Sequence, residues 1–397
     1  MDVSAGCAQP MPFQHVYFDH NATTPVAPEV AATVVSCLGE TFGNASSIHY
    51  FGQAAKQRLE SARRQVAALI HAQPAEMVFT GGGTEADNLA ILGVAREAAA
   101  RRGKPGHVIT SAIEHPAVLS ACAQLEREGF GVTRVPVGAA GVVDPGDLRA
   151  ALRTDTALIS IMHANNETGV VQPVEEISRI AREAGIPFHV DGVQALGKAP
   201  VDVKALGVDL YSVSAHKLYA PKGVGALYAR KGVRLHPLLF GGHHERDRRP
   251  GTENIPGIAG FGAAAQLAMQ RARENARLAE LRDRLERTVL DRIPDTGVNG
   301  CGARVPNTTN IYFDGIDGEA LVIALDLRGF AVSTGSACSS GAVTPSHVLT
   351  AMGLSAERAR ASIRFSLGMS NTAEQVDGLT RALEESVAHL RRISVHA

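Results

Sequence analysis

The chain has 397 residues, of which 45% are hydrophobic and 20% are charged. Its 39 lysines and arginines nearly balance its 40 aspartates and glutamates, so no excess of positive charge indicates binding to nucleic acid or to anionic lipid. The length predicts two domains, and the composition is typical of a globular enzyme that acts on small molecules.

The lack of targeting signals and the pattern of cysteines argue against several further classes of protein. No run of about 18 apolar residues predicts a membrane span. The first basic residue is Lys56, which argues against the basic start of a secretory or transit peptide, and we expect a cytoplasmic protein. The five cysteines are odd in number and lack a CxxC spacing, which argues against a disulfide framework and a metal site. At least one of them is a candidate for a reactive thiol.

Residues 1–15 are predicted to form a loose extension, and a regular alternation follows them. From about residue 54 to 265, short β-branched runs alternate with stretches of helical period. This alternation predicts an α/β fold with βαβ units, in which helices cover both faces of a mostly parallel sheet. Strands are predicted at 77–80, 107–110, 157–162, 188–190, 210–214 and 225–229, and helices at 85–101 and 117–128.

A helical pattern then runs without interruption from about 258 to 292, and the pattern changes after it. A smaller α+β domain is predicted there, with strands at 310–313 and 362–366, helices at 319–328 and 373–392, and a Ser/Gly-rich segment at 333–341. The predicted division is a large cofactor-binding domain of residues 26–265 and a small domain of residues 1–25 and 266–397. The small domain carries a candidate catalytic cysteine on a loop of about 333–345.

A glycine-rich segment, GGGTEADN at 81–88, joins a predicted strand to a predicted helix. Its backbone N–H groups, the helix N-terminus and the Thr84 hydroxyl suit a phosphate. An ordinary helix cap at Thr84 explains the residue equally well when the segment is considered alone.

Asp191 and Lys217, each placed at the end of a predicted strand, supply the two groups that pyridoxal 5'-phosphate needs. This cofactor withdraws electrons only while a fixed carboxylate keeps its ring nitrogen protonated, and it is bound through a lysine amine. Singly, such residues are common surface or capping residues. Lys217 is one of only seven lysines, and burial would lower its pKa and make the amine nucleophilic. The pair therefore predicts a site for this cofactor.

His115 and Asn166 also follow predicted strands, where ligands bind in parallel sheets. The His115 imidazole could lie against the cofactor ring, although a lone histidine in a loop is more often structural. Asn166 could position the cofactor or the substrate.

Gln194, Ser214 and His216 lie close in sequence to the predicted aspartate and lysine. Gln194 comes three residues after Asp191 and could reach the phenolic oxygen of the ring if a helix starts there. Ser214 and His216 flank Lys217 closely and could donate hydrogen bonds to the phosphate.

Cys338 lies in the Ser/Gly-rich segment, where a thiol is expected to be exposed and mobile, as a nucleophile that must approach a substrate requires. The other cysteines, which are Cys7, Cys37, Cys122 and Cys301, are expected to be buried and inert.

Arg364 interrupts the apolar strand predicted at 362–366. A guanidinium there requires a carboxylate partner, and a clamp on an amino-acid carboxylate fits as well as an internal salt bridge.

In order and spacing over nearly the whole chain, these motifs resemble the cysteine desulfurases of the class V aminotransferase family, the type used for nitrogenase and for general iron–sulfur cluster assembly. The segments that carry the resemblance are DHNATTP at 19–25, FGN at 42–44, GTE at 83–85, EH at 114–115, NNE at 165–167, DGVQ at 191–194, HK at 216–217, RPGTEN at 249–254, GSAC at 335–338 and IRFS at 363–366. Two positions depart from the family pattern, since Gly192 stands where alanine is usual and Ala215 where glycine is usual.

The resemblance implies the aspartate-aminotransferase-like fold (fold type I), a homodimer and bound pyridoxal 5'-phosphate. It implies that the cofactor contacts are Gly83, Thr84, His115, Asn166, Asp191, Gln194, Ser214, His216, Lys217 and Thr252. By the same resemblance, Thr252 reaches the phosphate of the neighbouring subunit, and Asn166 and Arg364 bind the substrate carboxylate. Lys217, His115 and Cys338 are the implied catalytic residues.

The implied reaction removes sulfur from L-cysteine, leaving L-alanine and a persulfide on Cys338, which passes to a sulfur-acceptor or iron–sulfur scaffold protein. A selenocysteine lyase or another class V aminotransferase would share the lysine, aspartate and arginine, but Cys338 argues against an aminotransferase. A non-catalytic protein of this fold would have lost one of Lys217, Asp191, His115 and Cys338, and the sequence has all four.

Overall fold

A computed structural model describes residues 15–335 and 344–394. Cys338 and nearly all of the predicted N-terminal extension therefore lie outside the described residues. The strands are β1 (Val16–Tyr17), β2 (Met77–Thr80), β3 (His107–Ser111), β4 (Gly131–Val135), β5 (Thr156–Ser160), β6 (Phe188–Asp191), β7 (Leu210–Ser214), β8 (Gly225–Ala229), β9 (Thr296–Val298), β10 (Thr308–Phe313), β11 (Phe330–Ala331) and β12 (Ser362–Ser366).

The helices surround these strands, and three short 3₁₀ turns at Pro74–Glu76, Ala215–Lys217 and His244–Asp247 connect some of them. The helices are α1 (Pro28–Glu40), α2 (Tyr50–Leu69), α3 (Gly83–Arg102), α4 (Pro116–Arg127), α5 (Pro145–Ala150), α6 (Val174–Ala184), α7 (Val203–Leu206), α8 (Ile255–Gln270), α9 (Glu274–Arg292), α10 (Gly318–Asp326), α11 (His347–Ala351), α12 (Ala356–Arg360) and α13 (Ala373–Ser394).

The large sheet has seven strands in the order β2-β8-β7-β6-β5-β3-β4. Strands β4, β3, β5, β6 and β7 run parallel to one another, whereas β8 runs antiparallel to both β2 and β7. The predicted α/β fold with a mostly parallel sheet is therefore confirmed.

Apolar cores lie on both faces of this sheet because side chains alternate between the faces of a strand. Val108 and Leu158 pack with residues of α3 and α4 on one face. Their neighbours Ile109 and Ile159 pack with residues of α2, α6 and α8 on the other. Strands covered on both faces consist of consecutive buried residues, and β3, β5, β7 and β8 are buried throughout.

A separate core forms around the antiparallel sheet β12-β10-β9 and the helices α9, α10 and α13. Phe18 from the N-terminal part of the chain joins this core. We propose that this core belongs to the small domain of residues 1–25 and 266–397, and the boundaries themselves stay a prediction.

The single long helix predicted from 258 to 292 is wrong. Two helices, α8 and α9, are separated at residues 271–273. Phe261 of α8 packs in the core of the large sheet, whereas Leu281 of α9 packs in the core of the small one. The Asn275 amide donates to the carbonyls of Gly197 and Lys198 at 3.1 and 3.2 Å and so fixes the start of α9. The break contains neither proline nor glycine, so the sequence pattern gave no sign of it.

Within the described ranges, none of the helices combines the length and the apolar character that a bilayer crossing requires.

Candidate active site

A cavity of about 430 Å³ opens at the carboxyl ends of the parallel strands β3, β5, β6 and β7. In a parallel sheet, ligands bind at this edge. The predicted site residues that line the cavity are Gly83, Thr84, His115, Asn166, Asp191, Gln194, Ser214, His216, Lys217 and Arg364. The fold therefore brings together in one place nearly all the residues that the sequence singled out.

Lys217 lies in the short 3₁₀ turn that follows β7. Its Nζ donates to the Asn21 carbonyl and, at 2.7 Å, to the Ala22 carbonyl. Burial lowers the pKa of Lys217 to about 8, with a further lowering from the nearby Arg364 guanidinium. A substantial fraction of the amine is thus neutral at mildly alkaline pH, as a nucleophilic amine requires.

Asp191 is the last residue of β6, and it is only 6% exposed. Its carboxylate accepts a hydrogen bond of 2.9 Å from the Val193 N–H. Burial raises the pKa of Asp191, and His115, the Val193 N–H and Lys217 oppose that rise. A carboxylate with this support can hold a proton on a ring nitrogen placed against it.

Two further acidic residues, Asp87 and Glu114, lie near Asp191, and the sequence reasoning missed both. Burial and the charge of Asp191 raise the pKa of Asp87 well above its usual value, and burial raises the pKa of Glu114 to about 8. Closely spaced buried carboxyl groups cannot all ionise. Burial and mutual repulsion therefore oppose the ionisation of this group of carboxyls, and His115, the Val193 N–H and Lys217 favour the charged form of Asp191.

His115 is the N-cap residue of α4. Its Nδ1 accepts a 3.1 Å hydrogen bond from the Ala117 N–H, so the neutral ring carries its proton on Nε2. Burial lowers the pKa of His115, which favours the neutral form. The cap fixes both the tautomer and the orientation of a flat ring at the cavity wall.

The start of α3 presents backbone N–H groups that could bind an anion. Its N-cap residue is Gly82, no side chain caps it, and its first backbone bond runs from the Ala86 N–H to the Gly82 carbonyl at 3.1 Å. The alternative of an ordinary cap at Thr84 is therefore wrong. A Cβ at Gly83 would lie only 2.9 Å from the Val193 side chain, so glycine is needed for close packing there.

Ser214 and His216 lie on the same wall of the cavity as Lys217. His216 Nδ1 forms a 3.1 Å hydrogen bond with the Thr23 hydroxyl. Burial, together with the positive charges of Lys217 and Lys222, lowers the pKa of His216 to about 4, so the ring is neutral. A neutral His216 would bind an anion through a hydrogen bond rather than through a positive charge.

Asn21 connects several of these groups, and the sequence analysis assigned it no role. Its carbonyl accepts from Lys217 and, at 3.0 Å, from the Gln194 amide, and its own amide donates to the Asn166 carbonyl at 3.0 Å. These partners lie 145 to 196 residues away in sequence. No local pattern could have revealed them.

Gln194 lies in a turn rather than at the start of a helix, so the helical spacing considered for it does not apply. The side chain is nevertheless 6% exposed and lines the cavity. Its Oε1 accepts a 2.6 Å hydrogen bond from Lys198, a residue that the sequence reasoning also missed.

Of the two interpretations left open for Arg364, the internal salt bridge is observed, and the clamp on a substrate carboxylate stays a prediction. Its guanidinium pairs with Asp19 at 2.7 Å and donates to the Asn166 carbonyl at 3.2 Å. It also lines the cavity, and its buried Nε has no hydrogen-bond partner among the described residues. The internal salt bridge is therefore present, and the guanidinium also lies at the cavity wall.

Two predicted residues are not placed in this cavity. Thr252 is exposed and does not line it, although a 2.9 Å bond from Arg249 to Glu85 ties the Thr252 loop to α3. Cys338 lies outside the described residues, and Ser333 and Gly335, which precede it, line the cavity. The roles predicted for Thr252 and Cys338 stay predictions.

Two of the other four cysteines are buried as predicted, namely Cys37 and Cys122. Cys301 is exposed, so its predicted burial is wrong. It lies in a turn between Gly300 and Gly302, both of which have positive φ, and this turn keeps the side chain out of the core. Cys7 lies outside the described residues.

The donors around the cavity fit pyridoxal 5'-phosphate. An amine, a buried carboxylate and a neutral imidazole converge with an uncapped helix N-terminus. They match the aldehyde, the ring nitrogen, the ring face and the phosphate of the cofactor. The Arg364 guanidinium also lines the cavity and brings a positive charge to it.

Comparisons with known proteins agree with this chemistry. The aminotransferase class-V family model matches residues 16–379. The cysteine desulfurase IscS of Dictyoglomus turgidum is 50% identical over 383 residues, which cover 96% of each chain. The cysteine desulfurase of Trichormus azollae is 50% identical over 382 residues, which cover 96% of this chain and 94% of that one. A solved structure of a NifS-like protein is 38% identical with a TM-score of 0.89, and the match covers 95% of this chain and 100% of the other.

Proposed function

This chain belongs to the cysteine desulfurases of the class V aminotransferase family, and we propose that it removes sulfur from L-cysteine to leave L-alanine, using pyridoxal 5'-phosphate. The observation that carries the proposal is the convergence of Lys217, Asp191 and Arg364 on one cavity. An amine, a ring-nitrogen partner and a carboxylate clamp are the minimum that such a reaction on an amino acid requires.

When bound, the cofactor withdraws electrons from the substrate carbon, and the chain supplies the positioning and the proton transfers. We assign Lys217 to covalent attachment of the cofactor and to moving the substrate Cα proton. Asp191 would hold the ring nitrogen protonated, and His115 would lie against the ring. The remaining contacts with the cofactor are assigned to Gly83, Thr84, Asn166, Gln194, Ser214 and His216.

Cys338 is the proposed acceptor of the sulfur. Its thiolate attacks the substrate sulfur, a new S–S bond forms, and the C–S bond breaks with its electron pair passing to the substrate carbon. That carbon is Cβ; its protonation and the return of a proton to Cα give alanine. A thiol reductant or a sulfur-acceptor protein, such as an iron–sulfur scaffold, removes the outer sulfur from Cys338. Acceptors of this kind fit the cytoplasmic location that we propose.

We further propose a homodimer, which exposed apolar side chains support. Phe42, Ile48 and Tyr50 are 66, 93 and 79% exposed, and the rings of Phe42 and Phe51 are 5.3 Å apart. Side chains of this size are seldom left in water as a group. A second copy would cover them and bring its Thr252 toward this cavity. A solution mass of one 41.7 kDa chain would contradict the proposal.

The test of the proposed activity is the release of alanine and sulfide from L-cysteine in the presence of a thiol reductant. A desulfurase releases the two products in equal amounts without a 2-oxo acid. Turnover that requires a 2-oxo acid would identify an aminotransferase instead. A much higher rate with L-selenocysteine than with L-cysteine would identify a selenocysteine lyase.

Replacing Arg364 with alanine is expected to raise KM for L-cysteine by about 10- to 100-fold, because a charge-assisted hydrogen bond to the substrate carboxylate is lost. The measurement is steady-state kinetics with a fully loaded enzyme. Arg360→Ala, which removes an exposed arginine from the end of α12, is the matched control. A lowered unfolding temperature with an unaltered KM would mean that Arg364 serves only its salt bridge with Asp19.

A further inference from the structure

Lys198 lies behind the cavity, in contact with a proposed cofactor ligand. Its Nζ donates to Gln194 Oε1 at 2.6 Å and to Asn21 Oδ1 at 2.9 Å. Its backbone is held by the bond from Asn275 at the start of α9. Burial, Lys217 and Arg364 hold the pKa of Lys198 well below its usual value, and no carboxylate is among the groups that act on it. Burying a lysine amine away from water costs folding free energy, and here its two hydrogen bonds to amide oxygens offset part of that cost.

The Lys198 contact sets the orientation of the Gln194 amide, that is, which side its oxygen and its nitrogen occupy. A protonated lysine amine has three N–H donors and a neutral one keeps two, so in either state Lys198 can donate to both Asn21 Oδ1 and Gln194 Oε1, as it does here. Asn21 is itself fixed, because its Nδ2 donates to Asn166 and to Thr308 and so leaves Oδ1 for Lys198. The Gln194 nitrogen must then point away from Lys198, and it donates to the Asn21 carbonyl at 3.0 Å. A reversed amide would lose both bonds.

We propose that Lys198 is a positioning residue that holds the Gln194 amide with its N–H₂ group available to the phenolic oxygen of pyridoxal 5'-phosphate. The inference rests on the proposed function. An ionised phenolic oxygen is an acceptor, so an amide nitrogen stabilises it and an amide oxygen repels it. Lys198 acts on the cofactor only through Gln194.

A purely structural role for Lys198 predicts a different result. In that case Lys198 only links Asn21 to the turn at Gln194, and its loss would loosen the cavity for any ligand. An orienting role concerns one oxygen of the cofactor. The two roles can be separated with 3-deoxypyridoxal 5'-phosphate, an analogue that lacks the phenolic oxygen.

The experiment measures the dissociation constants of pyridoxal 5'-phosphate and of its 3-deoxy analogue for the full-length apoenzyme. We expect Lys198→Met to weaken binding of the cofactor by about tenfold, the effect of one oriented hydrogen bond to a charged group, and to leave binding of the analogue unchanged. Lys204→Met, which removes an exposed lysine of α7, should alter neither value. In a Gln194→Leu background, Lys198→Met should cause no further loss.

Equal weakening of both ligands, or no change in either, would overturn the inference and leave the proposed function standing. If Lys198→Met does not fold, Gln194→Leu decides by itself. The inference requires that this variant lose the preference for the cofactor over the analogue, and a retained preference overturns it. A wild-type apoenzyme that binds neither ligand would overturn the proposed function, and the inference with it.

Discussion

Replacing Lys217 with alanine is expected to abolish the visible absorbance of the cofactor-loaded protein and to lower the rate of alanine release by about 1,000-fold or more. Covalent attachment requires an amine at the cavity wall, and Lys217 provides it. The same amine is assigned to moving the Cα proton. One substitution therefore removes both the attachment and the proton transfer, and the two losses should appear together.

The environment of Lys217 explains why a substitute cannot easily take over. Burial lowers its pKa to about 8, so neutral amine is present near the pH of the cell. Lys198 is the nearest alternative identified, but its Nζ is bound to two amide oxygens and it does not line this cavity. A free base such as methylamine could restore part of the proton transfer in Lys217→Ala, although not the attachment to the chain.

The measurements for Lys217→Ala are the absorbance spectrum after reconstitution and the alanine released from L-cysteine. Lys222→Ala, five residues further along and exposed, is the matched control and should keep both properties. An unchanged yellow spectrum in Lys217→Ala would mean that another lysine binds the cofactor. Lys198 would then be the first residue to replace in addition.

The features that the sequence predicted well are those that follow from local pattern. Alternation of strand and helix predicted the large sheet, and Asp191 and Lys217 were found because the ends of parallel strands meet at one edge. The contacts that support them could not be found in this way. Asn21 and Lys198 act through partners far away in sequence, and their role depends on the packing of the N-terminal segment against both cores.

Gly192 illustrates how a departure from a family pattern can have a structural cause. The resemblance leads one to expect alanine after the aspartate. A Cβ at residue 192 would collide with the ring of Tyr211, whose hydroxyl is held by His163 Nδ1 at 2.8 Å. The large buried side chain at 211 thus requires glycine at 192. The dependence of residue 192 on residue 211 becomes apparent only from the three-dimensional structure.

The break between α8 and α9 has a comparable cause. The residues of both helices carry one continuous helical period, so propensity and pattern favour a single helix. Helix α8 packs in the core of the large sheet and α9 packs in the core of the small one, and the chain breaks its helix at residues 271–273 between the two. Tertiary packing overrides local pattern there.

The second large effect is expected at Cys338, where serine should leave cofactor binding intact and lower the release of alanine and sulfide by about 100-fold or more. A serine hydroxyl has nearly the same shape as a thiol. It is scarcely ionised at neutral pH, so it cannot attack the substrate sulfur as a thiolate does. The cofactor contacts that we assign do not include residue 338. The visible spectrum of Cys338→Ser should therefore match that of the wild type.

The decisive measurement for this variant is the intact mass of the protein after reaction with L-cysteine in the absence of reductant. Wild type should gain one sulfur atom, located on the peptide that contains Cys338, and Cys338→Ser should gain none. Cys301→Ser, which removes an exposed thiol at the turn between β9 and β10, is the matched control and should still gain the sulfur atom. Equal rates in Cys338→Ser and wild type would show that sulfur leaves the substrate without a persulfide on Cys338. Cofactor attachment is expected to be lost in Lys217→Ala and sulfur transfer alone in Cys338→Ser. If Cys338→Ser lost cofactor binding as well as sulfur transfer, the result would indicate a misfolded protein rather than a missing nucleophile.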